Sequence, residues 1–578
     1  MLRAGTSLRE RGLDDVAFIH PPSIYDFRRR ALHFGPISDV VPSQPIFDMY
    51  PIGFLSLSSY LLRHGFRVSI LNLAALMARN PSLNVRGLLS RVRARVFAVD
   101  LHWLVHVHGT LNIVSLLKEL HPDTPVVAGG LSSTFFFREL TDHCRHLDFL
   151  VLGDTVEDPF LVLIERLVDG RGSLESIPNL VWRENGRVRV SERYFLPRCL
   201  DKYAIDYSLL YRRALSSLHP TWFVPFADFL SEPIGAILAY KGCNFNCIAC
   251  GGSRFAFSTY YGRSDVARKS PKTLWEELKS ATEYFRIPVF ILQDVQWLGR
   301  RWVEELVKAS REDPADSFVY LEFFKPPPRD YVLLLRRLAV GSLGFQVSPE
   351  SQSEEVRVAY GREFDNKSLE SFIESSLQAG IDRLDVYFMI GLPLQDYQSA
   401  MGIPAYVRRL YREYGARYGT SRLQGFAAPL APFVDPGSLA YTFPERYGYR
   451  LRARTLLEHY YLLDKAATWK DMLNYETLWM TRSDIVRATY DVAQEMLKVK
   501  KDCGLVDENL YAEISGAISE AKQIALKGGA EGLKLRKETT DLRMLYPSTR
   551  IFKTIRPKVL PGMLRGFVEN ACSFVRRL

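Results

Sequence analysis

Cys243, Cys247 and Cys250 lie in the stretch YKGCNFNCIACGGS, at steps of four and three residues. Thiolates bind metals, yet a closed tetrahedral zinc site and an ordinary iron–sulfur cluster each take four ligands. No cysteine or histidine in the next thirty residues supplies a fourth. Three thiolates can instead hold three irons of a [4Fe–4S] cluster and leave the fourth iron open. An open iron can chelate the amino and carboxylate groups of S-adenosylmethionine. An electron passed to the sulfonium then releases a 5′-deoxyadenosyl radical. In such chemistry the cofactor carries the reaction, and the protein orients it and excludes water. Cys144, Cys199, Cys503 and Cys572 are scattered and form no disulfide framework, which predicts a reducing, cytoplasmic compartment.

The triplet directly follows an apolar run, PIGAILAYKGC, that reads as a strand, so it sits on a loop at a strand's carboxyl end. Five more such runs follow: VFILQDVQW, FVYLEFF, LGFQVSPES, LDVYFMIGLP and LQGFAAPLAP. Helical stretches such as SPKTLWEELKSATEYF and NKSLESFIESSLQAG separate them. About six strand–helix units predict an open or partial barrel with its site at the carboxyl ends of the strands. Upstream, a separate alternating series runs through DVAFIHPP, a helix over FLSLSSYLLRHG, FRVSILNLA, RVFAVDLHW, TPVVAGG and HLDFLVLGDT. It predicts a parallel doubly wound sheet that binds ligands at its strand ends. Asp100 and His102, then Gly129, Gly130, Ser132 and Ser133, then Gly153, Asp154 and Thr155 collect at those ends. NLVWRENGRVRVSE reads as a hairpin around Asn185-Gly186 that closes this first unit. After about residue 440 the chain reads as mainly helical and rich in aromatics.

The cysteine spacing behind a strand resembles the radical S-adenosylmethionine superfamily. The resemblance implies ribose contacts from Ser348 and Glu350 in SPES, at the end of the fourth barrel strand. It implies backbone contact with the adenine at Gly391 in MIGLP, at the end of the fifth. Two features depart from the family pattern. An aromatic residue usually precedes the third cysteine, where this chain has Ala249. A Gly-Gly-Glu usually follows the second strand, where it has LQDVQ, so Gln293 or Asp294 is expected to hold the methionine amino group.

A doubly wound domain ahead of such a barrel resembles the cobalamin-binding subclass, on YPIGFLSLSSYLLRHGFRV, VVAGGLSST and VLGDTVEDPF. Together the resemblance covers roughly residues 14–480. It implies cobalamin over the strand ends carrying His102, Gly129, Gly130, Ser132, Gly153 and Asp154. DLHWLV begins the Asp-x-His-x-x-Gly signature but has Val105 for Gly, so no histidine is expected on the lower face of the cobalt. The implied α/β organisation is a flavodoxin-like doubly wound domain over 1–192 and a linker over 193–231. A partial (β/α)6 radical SAM barrel with its cluster follows over 232–438, then a helical substrate-covering region over 439–549 and a basic tail over 550–578.

Hydrophobic residues make up 47% and charged residues 24%, as in soluble globular proteins. The most apolar span, VFAVDLHWLVHVHGTLNIVSLL, carries Asp100 and three histidines and does not read as a membrane helix. The start, MLRAGTSLRERGLDD, has no apolar core and does not read as a signal peptide. Much of the net charge of +10 lies beyond Thr549, where seven Lys and Arg face one Glu. Leu560, Leu564, Phe567, Ala571 and Phe574 form one apolar face there, and a basic amphipathic helix suits peripheral contact with an anionic membrane. Trp469, Tyr475 and Trp479 would then cover the barrel mouth and receive a chain-like substrate.

That pattern favours a radical enzyme acting on an unactivated carbon of an apolar, lipid substrate. It would close a ring by C–C bond formation, as in the archaeal tetraether-lipid ring synthases of similar layout, or methylate through cobalamin. The alternative is a cobalamin-dependent methyltransferase of a soluble metabolite or peptide. A non-enzymatic iron–sulfur redox protein is a third reading, which the open cluster disfavours. An external electron donor is required, and no basic stripe on a nucleic-acid fold points to a nucleic-acid partner. No catalytic acid or base is singled out. Cys243→Ala, Cys247→Ala and Cys250→Ala are each expected to abolish iron retention and S-adenosylmethionine cleavage in reconstituted protein. Cys144→Ala should leave iron content unchanged, and full cleavage by any of the first three variants would refute the cluster assignment.

Overall fold

The computed structural model describes residues 13–36, 46–217 and 219–527. The basic tail over 550–578, and with it the amphipathic face, lies outside the described residues. Among the described residues no helix is long and apolar enough to cross a membrane.

The first sheet has seven strands: β1 (Asp14–His20), β2 (Val68–Asn72), β3 (Ala94–Asp100), β4 (Val126–Gly129), β5 (Phe149–Val151), β6 (Leu180–Glu184) and β7 (Arg187–Val190). Their order is β2-β1-β3-β4-β5-β6-β7. The first five pair in parallel, in the flavodoxin-like order, and β6 and β7 add an antiparallel hairpin. Val16 and Phe18 point into one hydrophobic core while Ala17 and Ile19 point into another. A parallel sheet buried on both faces needs such unbroken apolar strands. The hairpin turns at Asn185 (φ 50°) and Gly186 (φ 77°), both left-handed as a type I′ turn requires.

The second sheet comprises β8 (Gly235–Leu238), β9 (Val289–Leu292), β10 (Ala315–Phe323), β11 (Val340–Glu350), β12 (Arg383–Ile390) and β13 (Leu423–Pro429). They run in parallel in the order β13-β12-β11-β10-β9-β8, so β8 and β13 are both edges of an open barrel. The helices used below are α1 (Ile52–Arg63), α2 (Glu157–Asp169), α3 (Tyr207–Leu215), α4 (Pro271–Thr282), α5 (Leu456–Lys465), α6 (Arg482–Asp502) and α7 (Glu508–Lys527).

Residues 193–231, read from the sequence as a linker, hold α3 between the two sheets. Asp206 N donates to Ser59 Oγ of α1 (2.8 Å), Tyr207 N to Ser280 Oγ of α4 (3.2 Å), and Arg213 Nη2 to Asp14 Oδ1 of β1 (2.6 Å). The Tyr- and Leu-rich composition fills the seam between two helix layers rather than tethering them loosely. Beyond β13 the chain is mainly helical, as expected. A capping box of Thr481 and Asp484 opens α6, which lies against β13. Trp469 and Tyr475 do not line an open chamber. Both are buried, with Trp469 Nε1 donating to Tyr490 Oη (3.0 Å) and Tyr475 Oη to the Leu430 carbonyl (2.7 Å). Trp479 lies against Gly448, where a Cβ would come within 2.4 Å of its ring.

One buried ion pair joins the turn that leaves β5 to the segment that follows the cysteine loop. Arg263 donates from Nε and Nη2 to the two carboxylate oxygens of Asp154, at 2.5 and 2.9 Å. Its Nη1 reaches the Pro197 carbonyl (3.0 Å) and Nη2 also reaches Thr155 Oγ1 (3.3 Å). Removing one partner of such a pair strands a buried charge. Arg263→Ala is expected to cost about 3–5 kcal/mol of unfolding free energy in denaturant titration. Asp154→Asn combined with Arg263→Met should cost less than Arg263→Ala alone. A loss of less than about 1 kcal/mol in the single variant would show that the pair does not hold the sheets together.

Candidate functional site

β8 leads into a short strand, Tyr240–Lys241, paired antiparallel with Ala267–Arg268. Gly242 then turns the chain at φ +95°, where a Cβ would lie 2.9 Å from Arg263 Cδ. The cysteine loop follows, held from two sides. On one side Ile248 N donates to the Tyr360 carbonyl (3.0 Å), and Gly361 lies so close that a Cβ would meet the Asn246 carbonyl at 2.6 Å. On the other, Ala440 N donates to the Ile248 carbonyl (2.7 Å), Asp435 N to the Ala249 carbonyl (3.2 Å), and Gly251 N to Asp435 Oδ2 (3.0 Å). Burial pushes the Asp435 carboxyl up to about 6, against that last hydrogen bond.

Burial also raises all three thiols: Cys243, Cys247 to about 11, and Cys250 well above its ordinary value. Backbone N–H groups oppose this, Phe245 N donating to Cys243 Sγ (3.4 Å) and Gly252 N to Cys250 Sγ (3.3 Å). The Arg362 guanidinium also favours the thiolates of Cys243 and Cys247. Three free thiols, N–H donors to two sulfurs and a buried cation fit a negatively charged cluster. Among the described residues no three His, Cys, Asp or Glu side chains converge on a single ion. Thiolates on three separate irons stand further apart than the ligands of one ion.

The carboxyl ends of β9, β10 and β11 lie beside this loop. Gln293, left-handed at φ 78°, accepts from Tyr240 N through Oε1 (2.9 Å) and donates its own N–H to Glu322 Oε2 (3.0 Å). Asp294 turns away from the loop. It accepts from Gln296 Nε2 (2.7 Å) and Phe324 N (2.9 Å), tying β9 to β10, and burial lifts its carboxyl to about 7. Glu350, at φ 65° after a break in strand register, accepts from Arg362 Nη2 (3.0 Å). Arg362 is itself buried, its guanidinium 4.6 Å from the Phe324 ring centre. Burial raises the carboxyl groups of Glu322 and Glu350, and Arg362 counters it in both. Ser348 is buried one step before Pro349. Gly391 has both backbone groups engaged, its N–H with Gln395 Oε1 (2.8 Å) and its carbonyl with Tyr449 Oη (3.2 Å).

Over the strand ends of the first sheet lies a largely apolar cavity of about 350 Å³. Asp100, His102, Gly129, Gly130, Gly153 and Asp154 line it from the first sheet. Leu238, Lys241, Gly242, Leu292 and Gln293 line it from the second. Gly130 (φ +116°) packs so tightly that a Cβ would lie 2.6 Å from His102 Cα. Burial depresses His102 to about 4, so it presents a neutral imidazole. Ser132 turns back, its hydroxyl donating to the His102 carbonyl (3.0 Å). The Asp154 carboxylate is taken by Arg263. Glycine-bared strand ends and an apolar floor fit a large, mostly apolar cofactor.

Residues 41–161 match the B12 binding domain family. The structure is similar to TsrM from Kitasatospora setae, a radical S-adenosylmethionine methyltransferase solved with cobalamin and a [4Fe–4S] cluster (15% identity, 86% of this chain, 89% of that one, TM-score 0.52). It is also similar to OxsB, a cobalamin-dependent radical enzyme solved with aqua-cobalamin and S-adenosylmethionine (12% identity, 98% of this chain, 80% of that one, TM-score 0.53). The chain has the fold of the cobalamin-dependent radical S-adenosylmethionine enzymes. Among curated proteins, an uncharacterized methyltransferase of Pyrococcus horikoshii is 27% identical over 150 residues, 25% of this chain. That match spans only 29% of the relative's length.

The fold therefore brings Cys243, Cys247, Gln293 and Glu350 to one strand-end cluster, and His102, Gly129, Gly130 and Gly153 to one cavity. Glu322, Arg362 and Glu157 are site residues that sequence reasoning missed. Glu322 stands two residues before the end of the FVYLEFF run, which reads as plain strand. Arg362 lies beyond a helix, and its one clue was the adjoining Gly361. A raised thiol gives a direct test. At pH 8 a thiol near 11 is on the order of one part in a thousand thiolate. In iron-free protein iodoacetamide is expected to label exposed Cys199 well before Cys247, read by peptide mass spectrometry. Labelling of Cys247 should climb about tenfold per pH unit up to pH 10. A rate flat above pH 8 would contradict the raised thiol.

Proposed function

We propose that this chain is a cobalamin-dependent radical S-adenosylmethionine methyltransferase acting on a soluble metabolite or peptide. One observation carries the reading: a single cavity is walled both by the strand ends of the B12-type domain and by the strands that lead into the cysteine loop. When bound there, the cluster, S-adenosylmethionine and cobalamin supply one-electron cleavage of the sulfonium and a transferable methyl group. The chain's own residues do the rest. Cys243, Cys247 and Cys250 hold iron, and Phe245 and Gly252 N–H groups support two of the sulfurs. Arg362 balances Glu350 and the thiolates, leaving Glu322 and Glu350 as acceptors beside the open position. Apolar walls surround most of the cavity over the first sheet's strand ends.

The other substrate class, a lipid with ring closure, rested on the tail beyond residue 549 and on Trp469, Tyr475 and Trp479. The tail lies outside the described residues, Trp469 and Tyr475 are buried, and Trp479 is half-buried against Gly448. The test uses full-length protein reconstituted anaerobically with iron, sulfide and hydroxocobalamin. A corrin absorption band should survive gel filtration, and reductant with S-adenosylmethionine should yield both S-adenosylhomocysteine and 5′-deoxyadenosine. Loss of the band from folded protein, or 5′-deoxyadenosine with no S-adenosylhomocysteine, would overturn the methyltransferase reading.

A further inference from the structure

The cysteine loop is packed on two sides yet turns one short stretch outward. Asn244 and Asn246 are exposed, while Cys247, Ile248 and Ala249 after them are buried. Phe245, between the ligands Cys243 and Cys247, is the centre of this stretch. Its ring meets Trp297 edge-on (ring centres 5.0 Å apart) and Phe324 edge-on (5.6 Å). Its carbonyl accepts from Arg254 N (2.8 Å), and Asn246 Oδ1 accepts from Phe255 N (2.8 Å). Trp297 stands in the short turn after β9 that Asp294 caps, and it is 43% exposed. Exposed tryptophan is typical of contact surfaces, where its large apolar area is covered by a partner. Arg254 and Lys325, the residue after Phe324, are both exposed, and neither forms an ion pair among the described residues. Arg362 lies against the Phe245 and Phe324 rings. Glu363, the next residue, is exposed and is the acid that adjoins this group in sequence. Three cations thus stand around Phe245 with one anion.

We infer that this face, centred on Phe245 and Trp297, is the docking surface for an acidic protein that delivers single electrons to the cluster. The inference rests on the cluster assignment and is independent of the substrate class. Reductive cleavage of S-adenosylmethionine consumes one electron that no residue of this chain can supply. The donor protein is oxidised by one electron, the cluster is reduced by one, and no bond forms or breaks in that step. Electron transfer falls off steeply with distance, so a donor must dock where the loop comes nearest to the surface. Tyr360 and Gly361 occupy one side of the loop, and Asp435 and Ala440 occupy the other. The stretch Asn244–Asn246 is the part left open between them. Unpaired cations around an exposed aromatic steer an anionic partner and speed its encounter. Electron-transfer complexes are small and transient, so a patch of a few side chains is enough for one.

The experiment uses the full chain reconstituted anaerobically with iron and sulfide. It is mixed in stopped flow with reduced flavodoxin, an acidic one-electron protein, and bleaching of the cluster absorbance is followed. Arg254→Glu combined with Lys325→Glu should slow this bleaching roughly tenfold or more at low salt. Raising the salt from about 50 to about 500 mM should slow the natural chain and narrow the gap. Trp297→Ser should slow it several-fold at both salt concentrations. Reduced methyl viologen, a small cation that needs no docking surface, should bleach every iron-loaded variant as fast as the natural chain. Iron content is measured first, and if either variant is short of iron the other one and the salt dependence of the natural chain decide. The docking face is refuted, with the cluster assignment intact, if flavodoxin cannot bleach a natural chain that methyl viologen bleaches. It is equally refuted if the natural rate does not fall with salt, or if iron-loaded variants take electrons from flavodoxin at the natural rate. A natural chain that retains no cluster brings down the assignment and this inference together.

Discussion

The arrangement depends on one buried contact, the bidentate pairing of Asp154 with Arg263. Asp154 belongs to the turn that leaves β5, and Arg263 to the segment that follows the cysteine loop. Neither charge reaches water, so each requires the other, and the two sheets are fixed at that point. The same guanidinium lies against Gly242, the residue that turns the chain towards Cys243. Lys241 repeats the bond one strand away, reaching the Asp154 carbonyl and Glu157. The distance between the cavity and the cysteine loop is thus set by short, buried polar links rather than by a hinge.

The cysteine loop shows two opposed effects in one place. Burial lifts the Cys247 thiol to about 11, so it resists losing its proton. The N–H groups of Phe245 and Gly252 and the guanidinium of Arg362 work the other way. A bound metal displaces the protons outright and takes advantage of both, because it gains thiolates already shielded from solvent. The glutamates at the strand ends obey the same logic. Arg362 is shared among Cys247, Glu350 and Glu322, and no one of them holds it exclusively.

What was legible in the sequence was whatever local pattern alone determines. β1 to β5 and β8 to β13 lie in apolar runs, and the type I′ hairpin of β6 and β7 is written in Asn185-Gly186. The cysteine triplet needs no tertiary information at all. Roles that depend on direction were not legible. Asp294 and Gln293 are adjacent, yet the backbone at Gln293 is left-handed and Asp294 points beneath the strands into Gln296 and Phe324. Asp154 sits at the expected strand end, but its carboxylate serves Arg263, 109 residues away. The helix Tyr207–Leu215 inside the expected linker was not legible, because Tyr207 and Leu210 look like loop residues until both neighbouring helices are known. Trp469 and Tyr475 show the same ambiguity: a buried aromatic and a substrate-lining aromatic have the same letter.

The shared cavity bears on how such a chain could be assembled over evolutionary time. One wall belongs to the first sheet and the opposite wall to β8 and β9, so neither half carries a finished binding surface. A gene fusion that joined a ready-made cofactor module to a ready-made barrel would have produced two unmatched faces. In this chain the two faces are matched across the seam by the Asp154–Arg263 pair. Moving either half alone onto another partner would leave one of those buried charges without its counterpart.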